Sequence, residues 1–293
     1  MRRAMQAVVR ETIRNYENTA LLLVDIGAYP FRDLLEEYPK RAKNIGIFEP
    51  GTISLAAGLS LAGIVPTVYG ISPFIVQRSL EQLKLDFVYQ KTGGNFITTG
   101  AAYDFSTLGY SHFCPEDAAT LRLLPGMEIL TPGTPEQFTA LFRACRLNGR
   151  PSYFRMTDHS NQTPVDVEFG RAAVIRRGKQ ATVIAVAEQL DATLEACANL
   201  DVTVLYYTTL APFDKQTLAQ EFVGGKVFVS APLYAGSLYP EIIEALSGQN
   251  VRLAGAEIPL EVLRTYGKKA EKDAALGLDA AGIRTCLEGF ITA

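Results

Sequence analysis

The chain has 293 residues, of which 48% are apolar and 20% are charged, and its formal net charge is −3. This length is typical of two domains of ordinary size, and the apolar share is sufficient for folded cores. The composition excludes a disordered chain. We expect no nucleic-acid partner, because the sequence lacks the basic patch of such binders. We also expect no membrane span, because no apolar run is long enough.

Cysteine and histidine usage argues against a metal site in this chain. The four cysteines are far apart and form no C-x-x-C pair; they are Cys114, Cys145, Cys197 and Cys286. With two histidines in the whole sequence, we predict no metal ligands and no disulfide framework. A reducing, cytoplasmic location is the expectation. Segment 1–15 is amphipathic, lacks the apolar core of a secretory signal, and is predicted to be a helix.

In the first half of the chain, apolar runs typical of β-strands alternate with segments of helical spacing. Strands are predicted at 20–24, 44–48, 64–69, 95–99, 127–130 and 152–155. Helices are predicted at 52–62, 74–85, 116–123 and 135–147. Continuous apolar strands that alternate with helices indicate a parallel sheet with helices on both faces.

The same alternation restarts after a polar, proline-containing segment at 157–166, which we predict to be a linker. Strands are predicted at 172–175, 181–185, 202–206, 226–229 and 251–254. Helices are predicted at 191–198, 214–222, 239–246 and 279–291, the last with Asp279 as its N-cap. The predicted fold class is therefore α/β. It has two tandem domains, 1–160 and 167–293, whose mainly parallel sheets are sandwiched by helices.

Ligands of parallel sheets bind at the carboxyl ends of the strands. The loops to inspect follow Val24, Phe48, Tyr69, Thr99 and Arg155. Glu49 stands out among them, because it follows a predicted strand and precedes a proline, a glycine and an apolar helix. A purely structural interpretation is also open, because the helix dipole favours an acid in the first turn.

Several motifs, taken in order, resemble one family. Gly46-Ile-Phe-Glu49-Pro-Gly51, the Ala/Gly/Leu-rich helix after it and Gly63-Ile-Val-Pro66 resemble the pyrimidine-binding domain of transketolases and deoxyxylulose-phosphate synthases. Residues 77–82 (QRSLEQ), Ser111-His112 and 121–127 (LRLLPGM) resemble further motifs of the synthases. Residues 169–175, 181–185 and 210–214 resemble the C-terminal domain of the family. The resemblance spans nearly the whole chain and implies the C-terminal half of a transketolase-like enzyme.

The resemblance implies that Glu49 is both a catalytic and a cofactor-binding residue. In the family, the corresponding glutamate contacts N1′ of the aminopyrimidine of thiamine diphosphate. A carboxyl group in a mostly apolar pocket can share a proton with that nitrogen. In the family, the 4′ nitrogen of the bound cofactor then removes the C2 proton of the thiazolium, and the resulting ylide attacks a carbonyl carbon.

The resemblance further implies that Phe74, Ile26 and Asp25 are cofactor-binding residues. Phe74 lies at the position of an aromatic residue that stacks on the pyrimidine. Ile26, directly after Asp25, lies at the position of an apolar residue that packs against the cofactor. A place in the ordinary core is the structural alternative for Phe74 and for Ile26.

Three residues are implied as substrate-binding. His112 corresponds to a histidine that contacts the reacting oxygens of the substrate, which makes it catalytic as well. Arg155 corresponds to an arginine that holds the substrate phosphate, and Arg2 lies near a second one. Arginine suits this role because its planar fork pairs with two phosphate oxygens. A surface histidine and a solvated helix end are the structural alternatives for His112 and Arg2.

Substrate recognition differs from the family pattern. Residues 105–113 (FSTLGYSHF) replace the family's G-E-D-G-P-T-H-Q loop. Leu108 stands where the family has an acid that contacts a sugar hydroxyl. Gly100 stands where transketolases have a histidine. Residues 28–30 (AYP) stand where transketolases have a serine-containing loop. We therefore expect a specialised ketol or acyl transfer, of a kind used in secondary metabolism, rather than a pentose-phosphate transketolase.

The resemblance also implies a partner. The family binds the cofactor's diphosphate through Mg²⁺ with a G-D-G…N motif, and no G-D-G occurs in this chain. We expect an N-terminal transketolase-like subunit that carries this motif, in an α2β2 heterotetramer. The substrates would be a (phospho)sugar or 2-oxo acid donor and an aldehyde acceptor.

Two other functions stay open. The first is the β subunit of a 2-oxo acid dehydrogenase, which also pairs with a diphosphate-binding chain. The second is a non-catalytic scaffold homologue, which the altered loop permits. The segment 77–82 and His112 favour the split transketolase, and the presence of Glu49 and Arg155 argues against a scaffold.

Overall fold

The computed structural model describes residues 1–293 and contains two β-sheets. The strands are β1 (Thr19–Leu23), β2 (Ala42–Asn44), β3 (Val65–Ile71), β4 (Gly94–Thr99), β5 (Glu128–Leu130), β6 (Pro151–Arg155), β7 (Ala173–Arg176), β8 (Thr182–Val186), β9 (Thr203–Tyr207), β10 (Thr209–Ala211), β11 (Lys226–Tyr234) and β12 (Arg252–Ile258). The first sheet has the order β10-β5-β6-β4-β3-β1-β2, and the second has the order β12-β11-β8-β9-β7.

Helices cover both sheets. The α-helices are α1 (Arg2–Asn15), α2 (Arg32–Glu37), α3 (Glu49–Leu61), α4 (Ser72–Val76), α5 (Leu80–Gln82), α6 (Asp117–Arg122), α7 (Pro135–Cys145), α8 (Leu190–Ala196), α9 (Lys215–Glu221), α10 (Tyr239–Ala245), α11 (Lys269–Leu276) and α12 (Ala280–Thr292). A π-helix follows α5 at Leu83–Tyr89, and 3₁₀ turns lie at Tyr110–His112 and Ala187–Gln189.

Parallel pairing dominates both sheets. In the first sheet every neighbouring pair is parallel except β10 with β5. In the second sheet the antiparallel strand is β7, which pairs with β9 at one edge. Strands such as β1 and β6 are buried along their whole length, as expected for strands covered on both faces. The predicted α/β class with two mainly parallel, helix-covered sheets is confirmed.

Two apolar layers lie against the first sheet. Helix α1 buries Val8, Val9 and Ile13, at helical spacing, against the aromatic side chains of α7. On the other face, α3 buries Ile53 and other small apolar side chains against β3 and β4. Full burial of one such side chain contributes about 1.5–3 kcal/mol to stability. These layers set the position of the first turn of α3.

The two halves are joined through the sheets and the core. Strand β10 comes from the second half of the chain but pairs with β5 in the first sheet. The largest apolar cluster contains Val68 of β3 as well as Ile184 of β8. No helix or strand lies between β6 and β7, where the linker was predicted. The domain limits 1–160 and 167–293 stay a prediction.

Several element boundaries differ from the prediction. Strand β2 ends at Asn44, because Gly46 adopts a left-handed φ of +83° and turns the chain toward α3. The single helix predicted at 74–85 is instead α4, α5 and the start of the π-helix. The short elements α2, β10 and α11 were not predicted. Asp279 is the N-cap of α12, as predicted, because its carboxylate accepts a hydrogen bond from the Gly282 N–H at 2.8 Å.

No helix in this structure has both the length and the apolar character that crossing a membrane requires.

Candidate cofactor-activation site

Glu49 is the first residue of α3 and is 2% exposed. The turn at Gly46 and the proline at the second helical position direct the chain into the helix. Its Oε2 accepts a hydrogen bond from Arg78 Nη1 at 2.8 Å. No hydrogen bond within the chain reaches its Oε1. A buried carboxylate with one oxygen available therefore lies at a helix N-terminus, where the dipole stabilises its charge.

An aromatic wall lies beside this carboxylate. Phe74, in α4 after β3, carries the Arg78 guanidinium over its ring at 4.2 Å from the centroid. The ring of His112 meets the Phe74 ring edge-on, with centroids 5.2 Å apart. The structure thus brings together Glu49, Phe74 and His112, three of the residues predicted from the sequence. Arg78 connects the first two.

The loop after β4 completes the wall. Gly100 has a left-handed φ of +82°, and a Cβ there would lie 2.5 Å from the Phe105 ring. The Phe105 ring therefore fills the space that any side chain at position 100 would need. Phe105 also contacts His112, with centroids 6.3 Å apart. Ser111 Oγ lies 3.0 Å from Nδ1 of His112.

Arg2 lies at the far end of the same row. Its Nε donates a hydrogen bond to Thr99 Oγ1 at 3.2 Å, and its Nη2 lies 2.9 Å from an oxygen of Asp158. Its Cζ lies 5.9 Å from the centroid of Phe105. A continuous series of contacts, here called the site row, thus runs along the carboxyl edge of the first sheet. The site row consists of Glu49, Arg78, Phe74, His112, Phe105, Arg2 and Asp158.

Arg155 does not belong to the site row. It is 1% exposed, and its Nε contacts both oxygens of Asp117, the nearer at 2.8 Å. Its Nη2 donates to the carbonyl oxygen of Pro232 at 2.8 Å. The hydroxyl of Tyr153 donates to the same Asp117 carboxylate. The guanidinium predicted to hold a substrate phosphate is enclosed in a buried ion pair, so its position does not support that role.

Asp25 and Ile26 lie at the end of β1, beside the turn that leads into α3. The backbone of Asp25 is left-handed, with a φ of +71°, and its N–H donates to Asn44 Oδ1 at 2.9 Å. The same Asn44 oxygen accepts from the Gly46 N–H at 3.2 Å. Ile26 is partly buried and packs against both core layers of the first sheet. The Asn44 side chain thus ties Asp25 to the turn before Glu49.

Sequence reasoning missed the roles of Arg78, Phe105, Asp158 and Asp104. Arg78 was part of a motif, QRSLEQ, but its partner lies 29 positions earlier. Asp104 accepts a hydrogen bond from Thr157 Oγ1 at 3.2 Å and another from the Asp158 N–H at 2.9 Å. Burial, and then the charge of Glu188, raise the pKa of Asp104 to about 7. Nothing in the local sequence signals this environment.

Comparison with known proteins identifies the family. Residues 2–162 match the family described as "Transketolase, pyrimidine binding domain", and the chain belongs to this transketolase family. The resemblance drawn from the motifs is therefore confirmed.

Two relatives match along most of their length. An "Uncharacterized 33.6 kDa protein in fasciation locus" of Rhodococcoides fascians is 32% identical over 92% of this chain and 88% of its own. A subunit of the apulose-4-phosphate transketolase of Phocaeicola vulgatus is 28% identical over 89% of this chain and 88% of its own. A solved structure described as "Split gene transketolase, inactive beta4 tetramer" has a TM-score of 0.85 and 23% identity. It covers 99% of this chain and 97% of that one, and it shows the shared fold.

Proposed function

We propose that this chain is the pyrimidine-binding subunit of a split, thiamine-diphosphate-dependent, transketolase-like enzyme. In this proposal the assembled enzyme transfers a two-carbon ketol or acyl unit from a ketose or 2-oxo acid to an aldehyde. The observation that carries the proposal is the Glu49 carboxyl group, which is buried at the start of α3 and joined to the Phe74 ring through Arg78. Two findings support it: membership of the transketolase family, and a relative of similar length that is named as one subunit of a transketolase.

The residues around Glu49 fit an aminopyrimidine ring. Glu49 Oε1 is available to a ring nitrogen, and the half-buried Phe74 would stack through the face that Arg78 does not cover. When bound, thiamine diphosphate supplies the electron sink for C–C bond cleavage. In this proposal Glu49 holds a proton shared with the ring nitrogen, and its buried position excludes water from that contact. Ile26 and Asp25, at the end of β1, would contact the bound cofactor.

His112 would act on the substrate. One of its ring nitrogens, Nδ1, is engaged by the hydroxyl of Ser111 at 3.0 Å. The other nitrogen is then left for a reacting oxygen of the substrate, to which an imidazole can donate or from which it can accept a proton. The edge contacts with Phe74 and Phe105 hold the ring in place for this task.

The exposed residues on the outward side of α3 are consistent with a surface that binds a partner subunit. Surface helices normally carry polar side chains on their solvent side. Here Phe48 is 61% exposed, and Leu55 and Leu61 are 45% and 64% exposed. Leu55 and Leu61 both lie on the side of α3 that faces away from the core, and exposed apolar surface of this kind is typical of a protein interface. Because α3 begins at Glu49, a chain that covers the outward side of this helix would also lie next to the cofactor site.

The expected partner is an N-terminal transketolase-like subunit that carries the G-D-G…N motif and holds Mg²⁺ and the diphosphate. This chain contains no group of three or more His, Cys, Asp or Glu side chains placed to hold a metal ion. With the diphosphate held by one chain and the pyrimidine by the other, two copies of each is the simplest symmetric assembly.

The test is Glu49→Gln in the complex with the copurified partner. Glutamine keeps the size of the side chain and can still accept from Arg78, but it cannot hold the shared proton. We expect turnover to fall by about 100-fold or more, the usual contribution of a positioned acid or base. Turnover is measured while thiamine diphosphate and Mg²⁺ are titrated.

Glu81→Gln is the matched control, because Glu81 is an exposed acid in α5 outside the site row. Turnover of Glu49→Gln equal to that of this control would contradict the proposal. A complex without cofactor-dependent turnover of any ketose or 2-oxo acid donor would indicate the scaffold alternative. Strict dependence on a lipoyl carrier would indicate the 2-oxo acid dehydrogenase alternative.

A further inference from the structure

We propose that the aldehyde acceptor is unphosphorylated and has an apolar tail, which lies against Phe105. This inference rests on the proposed function and names the substrate class of the same site. If the pyrimidine ring lies at Glu49 and Phe74, the reacting end of the substrate lies next to His112. The site row then continues to Phe105, Arg2 and Asp158, so these residues face the tail of the acceptor.

Each arginine near the site is already paired with a carboxylate. Arg78 pairs with Glu49 at 2.8 Å, Arg2 with Asp158 at 2.9 Å, and Arg155 with Asp117 at 2.8 Å. Phosphate recognition needs an arginine fork whose donors are free to meet the phosphate oxygens. Arg2 uses its Nε on Thr99 and its Nη2 on Asp158, and Arg155 is enclosed by Asp117 and the Pro232 carbonyl. Arg78 holds Glu49 through Nη1.

Negative charge at the far end of the site row opposes a phosphate further. Asp158 is exposed next to Arg2, and Asp104 lies directly behind it, bonded to the Asp158 N–H at 2.9 Å. A phosphate that displaced Asp158 from Arg2 would leave this carboxylate without its guanidinium partner and close to the negative charge of the phosphate itself. Such a contact is unfavourable by the ordinary rule for like charges in a partly desolvated site.

The side chains at this end of the site row favour a hydrocarbon tail. Phe105 occupies the space above Gly100, so no polar side chain can project from that position. Leu108 and Tyr110, at the rim of the same loop, are 53% and 45% exposed. Pockets lined by aromatic and aliphatic side chains bind apolar groups and leave specificity to a few polar contacts. The reacting carbonyl would be the polar part of the acceptor.

The kinetic test compares hexanal with glyceraldehyde 3-phosphate as acceptors in the complex with the copurified partner. We expect kcat/KM for hexanal to exceed that for the phosphorylated aldehyde by about tenfold or more. Asp158→Asn should shift this ratio toward the phosphorylated aldehyde by about tenfold, because it removes one repulsive charge. Phe105→Ala should shift the ratio in the same direction by lowering kcat/KM for hexanal. Asp166→Asn, an exposed acid in the linker segment, is the control that should leave the ratio unchanged.

A binding test on the full chain alone needs no donor. Inorganic phosphate is titrated while thermal unfolding is followed, and we expect no saturable shift for the unmodified chain. A saturable shift that Arg2→Gln abolishes would overturn the inference, as would a higher kcat/KM for glyceraldehyde 3-phosphate than for hexanal. In contrast, turnover that is unchanged in Glu49→Gln would contradict the proposed function itself, whatever the acceptor preference.

Discussion

At the scale of single residues, the position of Glu49 explains its proposed chemistry. A carboxylate in the first turn of a helix is favoured by the dipole, which accounts for its presence but not for its burial. Burial follows from the turn at Gly46, and the ion pair with Arg78 compensates the cost of removing the charge from water. Arg78 also lies over Phe74, so one side chain orients both the acid and the aromatic wall.

Asp104 predicts a pH dependence of stability. Its pKa, about 7, lies above the ordinary value of 3.8, so the folded state binds its proton more tightly than the unfolded state. The stability that Asp104 contributes by binding this proton is fully present below pH 3.8 and is lost as the pH rises through about 7. We therefore expect the free energy of unfolding to decrease between pH 5 and pH 8, as measured by urea denaturation at both values.

Asp104→Asn should remove part of that decrease. The asparagine oxygen can still accept from the Asp158 N–H, and its amide can donate to Thr157. A decrease of the same sign remains from Glu257, whose pKa burial also raises to about 7, and Glu257→Gln is the matched comparison. An unfolding free energy of Asp104→Asn with the same pH dependence as the unmodified chain would show that Asp104 is ionised throughout this range.

At the scale of elements, α3 has one side in the core and another side that is apolar yet exposed. One face packs Ile53 and Ala56 into the core, while Leu55 and Leu61 on another face are exposed. The sequence of α3 contains no charged residue after Glu49, and its exposed side carries Leu55 and Leu61 together with the polar Ser54. A helix with so little polar surface is normally covered on most of its sides. This is the physical reason for placing the partner here.

Leu55→Glu should weaken assembly with the partner without unfolding the chain. The side chain is 45% exposed in the isolated chain, but it would bring an unpaired carboxylate into the interface. We expect the dissociation constant to rise by about tenfold or more, because an unpaired buried charge costs several kcal/mol. Light scattering and titration calorimetry measure the association.

Leu147→Glu is the control for this change, because Leu147 is 39% exposed after α7, outside α3. Equal weakening by both variants would show that the effect is not specific to the α3 face. Unchanged association of Leu55→Glu would place the partner on another surface.

At the scale of the whole molecule, the chain is more integrated than two tandem domains suggest. Strand β10 closes the edge of the first sheet at β5, although it lies beyond the predicted linker. Arg155 of β6 reaches across to the Pro232 carbonyl, and one apolar cluster includes residues of both halves. The two sheets therefore share a core and should unfold together.

We expect a fragment consisting of residues 1–166 to fold poorly. It would lack β10 and leave the edge of β5 unpaired, with apolar side chains exposed. Full-length chain should show one cooperative unfolding transition, and the fragment should show a lower midpoint or aggregation, as followed by circular dichroism. A fragment with the same midpoint as the full chain would establish 1–160 as an independent domain.

Local patterns in the sequence determined the α/β class, the order of most elements, the motif around Glu49 and the membership of the family. These properties depend on residues close together in the chain, where apolar spacing and turn residues act directly. The tertiary structure decided the burial of Arg155 by Asp117, the pairing of Arg78 with Glu49, the raised pKa of Asp104 and the placement of β10. Each of these depends on a distance or an enclosure created by segments far apart in sequence, which no local pattern records.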